Sequence, residues 1–254
     1  MTLAWRLSAA QWDVLTEVLG GQRYPSPIQV RSHGRTRAER VQIRADVCVE
    51  LAALGLLRAG RVDAELEAAL RLLHWPASWV DSVWLADAVA DQPVRVVAAQ
   101  GGVAGVCALQ HPDQPGATVL EVIPATGLAA AVVRRLPPWP PGGRATVTVP
   151  RQPGEQPVRQ PILVPVSATR GSTERDSAAA ILDTPVRAGQ IAANVRDPSS
   201  GRVCRSDVLR WCDNVDGRYQ VMLNRRSGDL TVGPADPQRL GEAVRRSLAA
   251  LGSC

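Results

Sequence analysis

Few side chains in this sequence have the types and spacings that do chemistry near neutral pH. The 254 residues contain three histidines, His33, His74 and His111. No two of them have the spacing of metal ligands, and there is no H-E-x-x-H sequence. We interpret each as a surface or helix-capping residue, so the histidines predict neither a metal site nor a catalytic base.

The cysteines do not form a recognisable motif either. There are five, and no pair has C-x-x-C spacing, which argues against a zinc ribbon, a redox motif or a disulfide framework. Cys48 and Cys107 lie in apolar runs and are interpreted as small buried hydrophobic residues. This usage favours a reducing compartment.

Two segments resemble ligand-binding loops only in part. Residues 100–105 lack the G-x-G-x-x-G pattern and connect two predicted strands, so no helix N-terminus follows to bind phosphate. Residues 213–217 resemble a calcium loop, but Val215 replaces a ligand and no glutamate closes the loop. We interpret both as turns. Because G-x-S-x-G and Walker A sequences are also missing, the sequence predicts no catalytic residue, no cofactor and no enzyme.

The charge of the chain leaves one alternative partner open. All 29 basic residues are arginines and phenylalanine is absent, a bias that we attribute to a GC-rich genome. The net charge of +5 is compatible with a DNA-binding regulator that uses the Arg-rich helices predicted within residues 36–73. The arginines are scattered, however, so we favour a protein without a nucleic-acid partner.

The sequence also lacks the features of a membrane or exported protein. No run of 18 apolar residues predicts a transmembrane helix. The first ten residues do not combine a basic segment with a long apolar stretch, so no signal peptide is expected. A cytoplasmic location without a membrane partner follows.

The helices that must position any site are indicated by their first residues. The S-x-x-Q sequence at 8–11 and the T-x-x-E sequence at 36–39 are capping boxes. Asp63 is predicted to cap a third helix, and Asp236 followed by Pro237 begins a closing helix. Strands are predicted at 2–7, 28–31, 79–85, 94–99, 103–109, 118–123, 146–149, 188–195, 202–212, 219–224 and 230–232.

Residues 122–136 and 232–248 look like two copies of one unit. Each runs from a strand through Pro-Ala and a cap, Thr126 or Asp236, into an amphipathic helix. Coincidence among common residue types is the alternative. The repeat predicts an α+β fold, with one central antiparallel sheet of pseudo-two-fold layout and helices packed to its sides.

Several segments follow one another in the order of a known family. They are 25–30 (PSPIQV), Arg40 in an amphipathic helix, 51–57 (LAALGLL), the hairpin 94–109, Val122, 135–137 (RLP), 141–142 (PG), 147–150 (VTVP), 216–219 (DGRY), 230–232 (LTV) and 234–236 (PAD). No single motif is diagnostic, but their order over essentially the whole chain, apart from 150–180, resembles the EspG family of ESX secretion-associated proteins.

The resemblance implies a fold and a function. The fold is a central antiparallel sheet with quasi-two-fold symmetry flanked by two helical subdomains. It forms a single domain with an N-terminal half (1–149), a Pro-rich connector (150–175) and a C-terminal half (176–254). The function is that of a cytoplasmic chaperone. It binds a PE–PPE heterodimer through the PPE-type subunit and keeps the apolar PPE tip soluble for type VII secretion.

Two departures from the family pattern bear on the partner contacts. The loop that helps to hold the partner in the family is short here, at 86–93. The family also has more helix where this chain has its Pro-rich connector, so a partner other than the usual PE–PPE pair is an alternative.

The expected contact residues lie near the C-terminal sheet. Because tryptophan is enriched at interface hot spots, Trp139 and Trp211 are predicted to be exposed. The predicted partner-binding residues are Leu209, Trp211, Val221 and Leu223, with Arg205 and Arg225 for polar contacts. For Leu209, Val221 and Leu223, a place in the hydrophobic core is the alternative.

Overall fold

The computed structural model describes residues 3–20, 24–87, 90–151, 173–224 and 227–252. The first part of the chain contains β1 (Ala4–Leu7), α1 (Ala9–Val18), α2 (Arg37–Ala53), β2 (Leu57–Arg58), β3 (Arg61–Val62), α3 (Ala64–His74), β4 (Ser78–Leu85), β5 (Val94–Gly101), β6 (Ala104–Gln110), β7 (Thr118–Pro124), a 3-10 turn (Ala125–Gly127) and α4 (Leu128–Val133). The remainder contains β8 (Val147–Val149), α5 (Thr173–Leu182), β9 (Arg187–Arg196), β10 (Val203–Arg205), β11 (Leu209–Asn214), β12 (Gly217–Leu223), β13 (Leu230–Pro234) and α6 (Pro237–Leu251).

The main sheet has a quasi-two-fold strand order. Its neighbours run β1-β7-β6-β5-β4-β9-β11-β12-β13-β8, with β10 paired to the end of β9. Each side of the β4–β9 seam is a four-stranded meander, β4-β5-β6-β7 or β9-β11-β12-β13, and each meander is flanked by an outer strand from earlier in the chain, β1 or β8. Within the described residues, every ladder between strands of this sheet is antiparallel. The predicted α+β fold with a symmetric central sheet is therefore confirmed.

Helices cover both faces of this sheet. On the first face, α1 to α3 pack on β1 and β4 to β7, and α5 packs on β8 and β11 to β13. On the second face, α4 and α6 contact one another and cover the middle of the sheet. Since successive strand residues point to opposite faces, the alternating apolar pattern of these strands places side chains in both cores.

Most predicted helix starts are confirmed. The two capping boxes form at Ser8 and Thr36, and the carboxylates of Asp63 and Asp236 cap α3 and α6. The prediction that Thr126 caps a helix is wrong. Thr126 lies in the 3-10 turn, and α4 begins after it without a side-chain cap.

Two predicted strands differ from the structure. Residues 28–31 are not a strand, because the backbone of Gln29 is hydrogen-bonded to a side chain and not to a neighbouring strand. The side-chain amide of Gln110 accepts from the Gln29 N–H at 3.0 Å and donates to the Gln29 carbonyl at 2.7 Å. The run 202–212 is split into β10 and β11. Between them, the Ser206 hydroxyl accepts a hydrogen bond from the Ala193 N–H at 3.0 Å and so takes the place of a ladder partner.

The cysteine expectations are met only in part. Cys48, Cys107 and Cys212 are free, and the last two are buried. Cys204 is disulfide-bonded, which the spacing of the cysteines did not predict. Nearly all of the predicted Pro-rich linker, 152–172, lies outside the described residues. Within the described part of the chain, no helix is long and apolar enough to cross a bilayer.

Candidate partner-binding surface

The predicted contact residues lie on different faces of the sheet. Leu209 and Trp211 lie on the second face under α4 and α6 and are only 5% and 1% exposed. Val221 is buried on the first face, and Leu223 is half-buried at the end of β12. Arg225 lies outside the described residues. The exposure predicted for Trp211 is wrong, although its role in partner binding stays a prediction.

Three structural features explain the burial of Trp211. β11 is flanked by β9 and β12, so this tryptophan is in the interior of the sheet. Its ring lies 6.1 Å from that of Trp84, and the guanidinium of Arg218 lies 4.7 Å above it. The missing side chain of Gly189 makes room, because a Cβ there would lie 2.4 Å from Trp84 and 2.8 Å from the Trp211 indole.

Arg205 joins the two halves of the sheet across the seam. Its guanidinium donates to both carboxylate oxygens of Asp81, at 2.6 and 2.9 Å, and to the side-chain carbonyl of Asn194 at 2.9 Å. Asn194 in turn donates to Asp81 at 2.7 Å. Asp81 and Asn194 are buried, but the Arg205 side chain remains 47% exposed. Arg205 therefore anchors β10 and keeps an accessible charge on the first face.

The loops at one end of the strands form a surface that we call the loop end. It contains the described parts of the loop after β4 (86–87 and 90–93), the β6–β7 loop (111–117), the segment before β9 (183–186) and the β11–β12 turn at Val215 and Asp216. The opposite end contains the β5–β6 turn with Val103. In the family that the sequence resembles, the loop that corresponds to 86–93 helps to hold the partner, and in this chain that loop is short. The loop end is a candidate surface because of its own residues.

Val215 presents an apolar side chain from the β11–β12 hairpin. It is 92% exposed. The hairpin below it is fixed by a buried ion pair, in which Arg218 donates to the two oxygens of Asp213 at 2.7 and 2.8 Å. Since large exposed apolar side chains on a rigid turn lose little conformational entropy on docking, Val215 is suited to contact another protein.

The segment 137–144 supports the same hairpin from the side. Arg218 donates its backbone N–H to the carbonyl of Pro140 at 2.7 Å, and Gly142 donates to the Arg218 carbonyl at 2.9 Å. Trp139 is only half-buried; its indole donates to the Asn214 carbonyl at 3.0 Å, and the Arg187 guanidinium lies 4.5 Å over its ring. The predicted exposure of Trp139 is thus confirmed in part.

A cleft opens at the loop end on the N-terminal side. Its volume is about 320 Å³. Proline side chains form part of its wall, at Pro93, Pro112 and Pro115, and Arg31 and Arg95 line it as well. The loop end therefore combines an apolar hairpin tip with a basic, proline-lined cleft. The turn at 213–217 was predicted, but Val215 was not named as a contact. The cleft was not predicted, because it requires segments that are distant along the chain.

The arginines of α2 are largely paired with acids. Arg40 bonds Asp13 and Glu17 of α1, and Arg44 lies 3.2 Å from Glu17. Paired guanidinium groups are less available to phosphate, because each counterion contact depends on a free charge. The arrangement disfavours the alternative of a DNA-reading helix in this region.

Reactive groups are scarce in the described part of the chain. No three His, Cys, Asp or Glu side chains there lie close enough to hold a metal ion. Burial raises the pKa of the Cys107 thiol to about 11 and that of Cys212 to about 12. Both thiols are therefore protonated at neutral pH and are poor nucleophiles.

Comparisons with known proteins agree on one family. The model of the EspG family matches residues 8–246. No curated protein sequence matches significantly. A solved structure of the Mycobacterium tuberculosis type VII secretion system chaperone EspG5, in complex with a PE25–PPE41 dimer, superposes with a TM-score of 0.72 at 16% identity, over 97% of this chain and 96% of that one. A second structure, the tesB protein MAP1729c of Mycobacterium avium subs paratuberculosis, has a TM-score of 0.14 at 15% identity, over 69% of this chain and 87% of that one.

Proposed function

Because this chain belongs to the EspG family, we propose that it is a cytoplasmic type VII secretion chaperone that binds a PE–PPE-type heterodimer. The observation that supports this most strongly is the family match over residues 8–246, which includes both halves of the sheet. The EspG5 fold, which is the fold of this chain, has been solved with a PE25–PPE41 dimer bound.

The proposed mechanism is protein binding without bond-making chemistry. An apolar helical tip of the PPE-type subunit docks at the loop end, where it packs against the exposed side chain of Val215. A stable complex of this kind buries roughly 1,200–2,000 Å² in total. Covering the tip removes apolar surface from water and so prevents the substrate from aggregating before export.

The residues predicted from the sequence fit this proposal in two ways. Arg205 and Leu223 have accessible surface on the first face and are proposed as additional contacts, toward the end of their strands away from the loop end. Leu209, Trp211 and Val221 are buried, so we propose that they set the shape of the sheet beneath the docked partner. The contact proposed for Arg225 concerns a residue outside the described ranges.

Co-expression with PE–PPE-like pairs from the same genome tests the function. We expect one pair to co-purify with the chain as a stable complex that elutes as a single peak in size-exclusion chromatography. The chain should also increase the soluble fraction of that pair. If every pair encoded near ESX genes stays insoluble and fails to co-purify, the proposed function is wrong.

A matched pair of variants tests the proposed surface. Val215→Asp places a charge at the loop end, and Val103→Asp places the same charge on a hairpin at the opposite end; both valines are more than 90% exposed, at 92% and 97%. Burial of a valine contributes about 1.5–3 kcal/mol, so Val215→Asp should weaken binding roughly 10- to 100-fold. Val103→Asp should bind as the wild type does. Equal effects of the two variants would exclude the loop end as the docking surface.

A further inference from the structure

The cleft at the loop end has an unusual balance of charge. Its walls come from α1, the segment 29–31, the start of β5 and the β6–β7 loop. Among the described residues, Arg31, Arg95 and His111 line it, and no aspartate or glutamate does, although His111 lies 3.4 Å from the Asp113 carboxylate of the same loop. The volume of the cleft, about 320 Å³, is sufficient for a side chain and too small for a whole helix. The cleft therefore offers positive charge to a small group.

Neither arginine of the cleft forms an ion pair within the described ranges. Arg95 donates to the carbonyl of Pro93 at 3.2 Å. Burial, together with the like charge of Arg31, lowers the pKa of the Arg95 guanidinium. Two guanidinium groups that repel one another in a partly desolvated cleft are stabilised by an anion that binds between them.

A tryptophan in the wall of the cleft has a buried donor that lacks an acceptor. Trp12 lines the cleft and is 2% exposed, and its indole Nε1–H is buried without a hydrogen-bond acceptor among the described residues. The amide of Gln110, which also lines the cleft, is bonded to the backbone of Gln29 and to the Thr118 hydroxyl. Buried N–H groups are seldom left unpaired, so the indole of Trp12 is a suitable reporter for a group that enters the cleft.

We infer that this cleft binds the carboxylate of an aspartate or glutamate side chain of the docked partner. A carboxylate has up to four acceptor positions and binds guanidinium groups in a bidentate manner. The methylene groups of the acidic side chain would pack against the prolines of the wall. This inference rests on the proposed function, because it names one contact of the same partner.

The location of the cleft agrees with a single interface. β6 borders the cleft and β12 carries the hairpin with Val215, and five strand spacings separate them in the sheet. At about 4.8 Å per spacing, the distance is roughly 24 Å. A partner footprint of roughly 800 Å² reaches across such a distance, so one subunit can contact Val215 and place an acidic residue in the cleft.

Binding measurements with charge-matched variants test the inference. The double variant Arg31→Gln/Arg95→Gln should weaken the complex with the PE–PPE pair roughly tenfold or more, and the remaining affinity should depend less on salt. The control, Arg58→Gln/Arg61→Gln, removes the same charge from the exposed β2–β3 hairpin and should leave the affinity unchanged. Equal affinities of both double variants and the wild type would overturn the inference.

An experiment on the free chain separates this inference from the proposed function. The indole N–H resonance of Trp12, assigned by its loss in Trp12→Phe, is followed while sodium acetate is added, with sodium chloride at equal ionic strength as the control. We expect a saturable change of this chemical shift with acetate that Arg31→Gln/Arg95→Gln abolishes. No shift with acetate, or the same shift with chloride, would show that the cleft holds only water.

A shift without loss of partner affinity in the double variant would contradict the assignment to the partner. If no PE–PPE pair binds at all, only the function fails, and the acetate result still decides whether the cleft binds carboxylate.

Discussion

The buried ion pair of the β11–β12 hairpin leads to a quantitative prediction. Asp213 and Arg218 are 0% and 2% exposed in their side chains, and two hydrogen bonds of 2.7 and 2.8 Å connect them. Asp213→Asn keeps the shape and removes the negative charge, so the guanidinium of Arg218 remains buried without a counter-charge. Breaking a buried pair in this way costs about 3–5 kcal/mol. For a chain of this size, the melting temperature should fall by roughly 8–15 °C.

A second ion pair on the same hairpin provides the control. Asp216 and Arg144 lie 3.0 Å apart with side chains 40% and 48% exposed, and exposed pairs contribute about 0–1 kcal/mol. In urea unfolding followed by circular dichroism, Asp216→Asn should therefore unfold nearly as the wild type does. Asp213→Asn/Arg218→Met removes both buried charges and should recover about half of the lost stability.

The outcome that would refute this reasoning is specific. If Asp213→Asn and Asp216→Asn lower the free energy of unfolding by the same amount, burial does not determine the strength of these pairs. If the double variant is less stable than Asp213→Asn, the unpaired charge of Arg218 is not the cause of the loss.

Three further predictions follow from local geometry. Gly142→Ala would place a Cβ 2.1 Å from the ring of the buried tyrosine of β12, whereas Gly143→Ala meets nothing within 4 Å. We expect the first to lose about 1–3 kcal/mol in urea unfolding and the second to change by less than about 0.5 kcal/mol; equal losses would contradict the contact. Asp236→Ala should lose about 1 kcal/mol because it removes the cap of α6, whereas Thr126→Ala should be close to neutral in the same assay. Of the free thiols, Cys48 alone should react with Ellman's reagent at pH 8, because burial raises the pKa of the other two to about 11 and about 12. The same raised pKa values mean that the unfolded chain releases these protons first, so stability should fall as the pH rises from about 9 to about 11; reaction of all three thiols in the folded chain, or flat stability over that range, would contradict their burial.

The sequence was most informative where the deciding interaction is local. The capping boxes at Ser8 and Thr36 each join residues three positions apart, so one short pattern contains both partners. Turns with glycine between β-branched runs predicted the meander β5 to β7 for the same reason. The fold class followed, because two meanders that each end in a helix form one symmetric sheet.

The candidate site was harder to predict, because its residues come together from distant parts of the chain. Arg205 meets Asp81 across 124 positions, and nothing near either residue indicates the other. The burial of Trp211 had one usable signal: Gly189 interrupts a strand pattern, and a glycine inside a strand often marks a close approach by another group. That signal indicates a close approach without naming the tryptophan that fills the space.

The internal repeat shows how a pattern can predict topology and still mislead about a single residue. Both copies run from a strand through Pro-Ala into a helix on the second face, and α4 and α6 contact one another there. In the second copy, four positions separate Asp236 from Leu240, which leaves room for a full first turn with a side-chain cap. In the first copy, only two positions separate Thr126 from Leu128, so Thr126 is taken up by the 3-10 turn and cannot cap the helix that follows. The positions of the buried leucines determine where each helix packs, and the spacing in front of them determines how each helix begins.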